Sequence, residues 1–76
     1  FSGTLRPMKR APVTSSSIAS VGYEAEPATL EVEFARGAVY RYFAVPAAVH
    51  VQLMGAASKG AFLNRFVRGV FSFARV

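Results

Sequence analysis

The 76-residue chain has no cysteine and no tryptophan. It also has no aspartate, one histidine and four glutamates. Without cysteine there is no disulfide framework, no thiolate zinc site and no cysteine nucleophile. Without aspartate, and with His50 alone, neither a Ser-His-Asp triad nor a histidine-based metal site can be assembled. The chain therefore reads as a protein that is not an enzyme, with no cofactor and no metal. Long apolar runs are missing as well. The longest stretch without Lys, Arg or Glu, residues 42–58, is 17 residues long and contains Pro46, His50 and Gln52. A bilayer-spanning helix needs roughly 20 apolar residues, so this stretch reads as core and no membrane partner is expected. No apolar run follows Lys9 and Arg10, so no secretory signal is visible. That, with the absence of cysteine, points to the cytoplasm.

What is present is a strongly apolar, basic chain. Apolar residues make up 53% of it, enough to exclude a disordered polymer, and 8.2 kDa allows one small domain. Nine Lys and Arg against four acids give a net charge of +5. The acids are confined to Glu24, Glu26, Glu31 and Glu33, while Arg36, Arg41, Lys59, Arg65, Arg68 and Arg75 follow with no acid among them. A field of one sign favours polyanionic partners. It also serves plain solubility.

The N-terminal part, with Gly3, Pro7, Pro12 and a serine run, has no periodicity. Residues 1–12 read as a flexible basic arm, residues 1–7 as upstream or appended sequence ahead of Met8, and residues 13–76 as the domain. Residues 18–23 form a short apolar strand, and the three-residue spacing of Ile18 and Val21 calls for a bulge near Gly22. Residues 29–34 alternate, with Leu30, Val32 and Phe34 on one face and Glu31 and Glu33 on the other. Residues 38–43 form a third strand. A three-residue turn, Ala35-Arg36-Gly37 with a left-handed glycine, pairs Val32 with Tyr40, Leu30 with Tyr42 and Glu31 with Arg41. A two-residue turn would instead bring Arg41 to the apolar face, so the longer turn is expected.

Pro46 opens a helix as its first residue, with a stripe of Val49, Leu53, Ala56 and Ala57. Ser58 caps a second helix from Lys59 to about Gly69. Its apolar residues Phe62, Leu63, Phe66, Val67 and Val70 cover roughly 140° of the wheel, with Asn64, Arg65 and Arg68 opposite. The tail, with Phe71 and Phe73, suits a final edge strand. The expected fold is α+β: an antiparallel three-stranded meander, with a fourth C-terminal edge strand available, packed on two helices.

From Val13 to about Arg75 the chain resembles the KTSC domain family. These small domains occur alone and at the C-terminus of some lysyl-tRNA synthetases. The landmarks are Ser16-Ser17-Ile18, Val21-Gly22-Tyr23, the turn at Gly37, Tyr40-Arg41-Tyr42, Val45-Pro46, Leu53, Ser58-Lys59-Gly60, Phe62, Asn64 and the closing aromatic pair. Tyr40 and Tyr42 occupy the mid-chain Tyr-x-Tyr hallmark. Relatives commonly have one more residue after the serines, Tyr at position 50 and an aromatic residue at position 63. The resemblance implies no settled activity. It does suggest RNA, through the attachment to a tRNA-charging enzyme.

Each candidate residue has a functional and a packing reading. Tyr40 and Tyr42 form either a stacking platform, worth ~1–3 kcal/mol per base, or core with hydroxyls at the rim. Ser58-Lys59-Gly60 either holds an anion or simply caps a helix between packed elements. Arg65 and Arg68, one turn apart, bridge phosphates or sit solvated. Asn64 reads a base edge or caps backbone. His50 reads as a packing residue. The expected function is a non-catalytic basic domain that binds RNA or another polyanion through Arg41, Lys59, Arg65 and Arg68, helped by Lys9 and Arg10. The alternative is a protein-interaction module or homodimer built on the apolar tail.

Overall fold

A computed structural model describes residues 9–76. In chain order it contains β1 (Ala11–Pro12), β2 (Ile18–Glu24), β3 (Thr29–Phe34), β4 (Val39–Tyr42), α1 (Ala47–Gly55), α2 (Lys59–Phe66) and β5 (Phe73–Arg75). The strands form one antiparallel sheet in the order β1-β2-β3-β4-β5. Both helices lie in the single connection between β4 and β5. The expected α+β architecture is present, with five strands where three or four were expected.

The central hairpin follows the longer turn. Leu30 pairs with Tyr42, Glu31 with Arg41 and Val32 with Tyr40. Gly37 takes φ 103°, a conformation that favours glycine. Its N–H donates to the Phe34 carbonyl at 2.8 Å. One face of the sheet thus carries Val21, Leu30, Val32, Tyr40 and Tyr42. The bulge that reconciles Ile18 with Val21 lies between Ile18 and Ser20, not near Gly22.

Gly22 has another task. A Cβ there would run into the Lys9 carbonyl oxygen, so glycine is what lets the segment before β1 lie against β2. Residues 11 and 12 are accordingly a strand, pairing Ala11 with Val21 and Pro12 with Ser20. The part of the expected arm before Lys9 lies outside the described residues.

The core comprises Ile18, Val21, Leu30, Val32, Tyr42, Val45, Leu53, Leu63 and Val67. Pro46 is extended at φ −63°, ψ 149°, and α1 starts one residue later than expected. Of the α1 stripe only Leu53 is buried. Of the apolar arc expected for the second helix, Leu63 and Val67 are buried, but Phe66 is 48% and Val70 61% exposed. The helix ends at Phe66, and Gly69 at φ 78° turns the chain toward β5. That turn removes Val70 from the helical arc. The Phe66 ring lies on the surface, 4.8 Å from Phe62 and covered by the Arg65 guanidinium at 5.5 Å.

The Tyr23 ring stacks on His50 at 4.8 Å and 9°, and its hydroxyl donates to the Val45 carbonyl at 2.6 Å. Burial pushes the His50 imidazole below its ordinary value. The unfolded chain therefore binds the proton more tightly, so stability is fully present above about pH 6.5 and falls as the pH drops below that value. Melting temperatures followed from pH 7.5 to 5 should show that decline, and His50→Phe, which keeps the stacking, should flatten it. An equal slope in wild type and variant would exclude His50 as its source.

Candidate functional site

The cationic residues expected to act together fall into separate groups. Glu31 is 1% exposed and lies on the sheet face opposite the helices. Its carboxylate accepts from Arg41 Nε at 2.5 Å and from Arg10 Nη1. Arg10 Nε also donates to Ser20 Oγ at 3.0 Å, and that hydroxyl donates to Glu33 Oε1 at 2.8 Å. Arg41 is 6% exposed. Its expected role at phosphate is corrected: it is buried on the face away from the helices, against Glu31. The cross-strand pairing that the sequence implied is what takes Arg41 out of reach. Arg10 is likewise committed to Glu31 and does not serve as a loose basic arm.

At the start of α2, Ser58 is extended and its hydroxyl accepts from Ala61 N at 3.3 Å. Lys59 Nζ donates to the Ala56 carbonyl at 3.2 Å, at the end of α1. Gly60 faces Ser17, whose Oγ would lie 2.7 Å from an added Cβ. Ser58 is thus the helix cap that its position suggested, and Lys59 ties the two helices together.

Farther along α2, Asn64 and Arg68 are exposed, and Arg68 Nη1 donates to Asn64 Oδ1 at 3.0 Å. This pair stands between two clefts along the seam of sheet and helix. One, of about 440 Å³, is lined by Tyr40, Tyr42, Asn64, Arg68, Gly69 and Phe73. The other, of about 290 Å³, adds Ser16, Ser17, Arg36 and Gly60 to the shared Asn64 and Arg68. Tyr40 packs edge-on against both Phe34 and Phe73 at 5.6 Å. Tyr42 is buried, with its ring 5.9 Å from Phe73. Burial pushes its phenol above the ordinary value, Arg68 pulls it back and Tyr40 adds to the rise. Tyr42 is therefore a neutral phenol at physiological pH.

The structure brings Tyr40, Tyr42, Asn64 and Arg68 together, with Gly60 in the adjoining cleft. Arg65 lies over the Phe66 ring instead. The sequence reading missed Phe73, Arg36, Ser16 and Ser17 as lining residues. The register that places Phe73 beside Tyr42 depends on where the tail re-enters the sheet, and nothing local in the sequence marks that point.

The two ion pairs among the described residues both belong to Glu31. Arg36, Lys59, Arg65, Arg68 and Arg75 therefore have no carboxylate partner. Among the described residues no group of His, Cys, Asp or Glu has the arrangement to hold a metal ion, and no helix is long and apolar enough to cross a membrane.

The sequence model of the KTSC domain matches residues 14–71. The chain belongs to the KTSC domain family. This KTSC domain is 43% identical over 61 residues to a lysine–tRNA ligase of Nostoc punctiforme, a match covering 80% of the chain but 11% of the ligase. It is 50% identical over 58 residues to an uncharacterized protein of Stutzerimonas stutzeri, covering 76% of the chain and 82% of that protein. The fold is similar to the crystal structure of a KTSC domain protein from Yersinia pestis, with a TM-score of 0.86 and 38% identity over 92% of this chain and 99% of that one. The domain thus spans about a tenth of the ligases it matches, and no catalytic family is indicated. The Tyr-x-Tyr hallmark, Gly60 and Asn64 all line the paired clefts in this KTSC domain.

Proposed function

We propose that this KTSC domain binds single-stranded RNA along the seam between the sheet and α2, in the cytoplasm and without chemistry of its own. The observation that carries the reading is the lining of the paired clefts. Aromatic rings, Asn64, Arg36 and Arg68 line them, and no carboxylate does. Aromatic faces accept bases of any sequence, and guanidinium groups accept phosphates. Outside the clefts, Arg65 over the Phe66 ring and Lys59 at the start of α2 are further cations on the same helix. The similarity to a C-terminal region of lysine–tRNA ligases supports an RNA partner.

Labelled oligoribonucleotide titrated at increasing salt should lose affinity with a log–log slope of about −2 to −3, from three to four phosphate contacts at ~0.7 each. Arg68→Glu should weaken binding at least about tenfold, because it removes one contact and repels the strand. Its melting temperature should stay near wild type, because the side chain is exposed. Equal affinity in wild type and variant would remove this surface from the account.

A second reading rests on the other edge of the same region. β5 is an edge strand, with Phe73 60% exposed and Val76, just after it, 55% exposed. Such an edge can pair with another chain. A stable dimer in solution together with no RNA binding at low salt would favour that reading.

A further inference from the structure

The two clefts differ in chemistry but share a wall. The larger is walled by the Tyr40, Tyr42 and Phe73 rings, and Phe73 is 60% exposed. The smaller has Ser16, Ser17 and Arg36 along it, with the Arg36 guanidinium held 5.6 Å from the centre of the Phe34 ring. Asn64 and Arg68 line both. Together they have the size of a small-molecule site, ~300–1,000 Å³, in two compartments: one aromatic, one cationic and hydroxyl-bearing.

We propose that the paired clefts take one terminal nucleotide carrying a phosphomonoester, with the base against Tyr40 and Phe73 and the phosphate between Arg36, Arg68 and the Ser16–Ser17 hydroxyls. The inference rests on the RNA reading and narrows it to the end of the strand. Charge decides between an end and an internal position. An internal phosphodiester carries a single negative charge. A terminal phosphomonoester carries about −1.5 to −2 at pH 7 and three strong acceptor oxygens. Two guanidinium groups with no carboxylate partner match the second far better than the first. The Arg68–Asn64 hydrogen bond fixes the amide with Oδ1 toward Arg68. Nδ2 is then the group that Asn64 turns to a ligand, a donor suited to a base carbonyl or ring nitrogen. Gly60 keeps the smaller cleft open, since a side chain there would meet Ser17 Oγ.

The test uses the 76-residue chain and three probes: a hexaribonucleotide with a 5′-phosphate, the same hexamer with a 5′-hydroxyl, and free adenosine monophosphate. The phosphorylated hexamer should bind about tenfold or more tightly than the hydroxyl form at constant salt. Arg36→Ala, in the exposed β3–β4 turn, should erase that ratio by weakening the phosphorylated hexamer far more than the hydroxyl form. Adenosine monophosphate displacing the hexamer with equal affinity would assign the site to the free nucleotide unit, and the proposed base and phosphate compartments would stand. Equal binding of the two hexamers would overturn the end-recognition proposal but leave the RNA reading intact. No binding of any probe at low salt would overturn both.

Discussion

Glu31→Ala should cost about 3–5 kcal/mol, the range for removing one partner of a buried ion pair. A domain of this size has about 4–11 kcal/mol in all, so the variant should lose a large share of its stability and melt well below wild type. The reason is local. Glu31 and Arg41 face each other across β3 and β4 at 1% and 6% exposure. Removing the carboxylate leaves the Arg41 guanidinium in a dry setting without the oxygen it donates to at 2.5 Å. Arg10 would lose its ion pair at the same time and keep only its hydrogen bond to Ser20, loosening β1. Glu31→Leu combined with Arg41→Met should recover most of the loss, because apolar replacements of similar volume remove the desolvation cost with the charges. Thermal or urea unfolding would read both variants. A wild-type melt for Glu31→Ala would mean the pair is not buried as described.

Leu63→Ala should cost about 2–5 kcal/mol, while Phe66→Ala on the same helix should cost under about 1.5 kcal/mol. Leu63 is 1% exposed and touches the core, so truncating it leaves a cavity. Phe66 is 48% exposed and packs mainly on Phe62, so its loss is chiefly that of one ring pair. The wheel alone places Phe66 within the apolar arc, and its larger side chain would be assigned the larger cost. Parallel urea curves decide the matter: a larger loss for Phe66→Ala would mean that α2 is rotated relative to the sheet.

The parts of the fold legible in the sequence are those set by short-range rules. The register of β3 and β4 follows from alternation plus one glycine turn, and it fixes which side chains face the helices. Ser58 as a cap follows from residue chemistry at a helix start. The parts that were not legible depend on contacts distant in sequence. β1 exists because Gly22 admits the backbone of Lys9, and the segment around Ala11 carries no strand pattern of its own. Arg41 reads as a surface cation because charge ordinarily seeks water. Its burial required a carboxylate on β3 and a second guanidinium from Arg10, twenty-one positions away from that carboxylate. The candidate site was half legible. Tyr40, Tyr42, Asn64 and Arg68 stood out singly, and only the packing of α2 on the sheet makes them neighbours.

The most direct test is an amide-resolved NMR titration of the ¹⁵N-labelled domain with a short oligoribonucleotide at low salt. Shift changes should concentrate at Tyr40, Tyr42, Asn64, Arg68 and Phe73, with Arg36 and Ser17 following, and should fade as salt is raised. Changes centred instead on Arg10, Glu31 and Arg41, or no changes at millimolar RNA, would contradict binding along the seam.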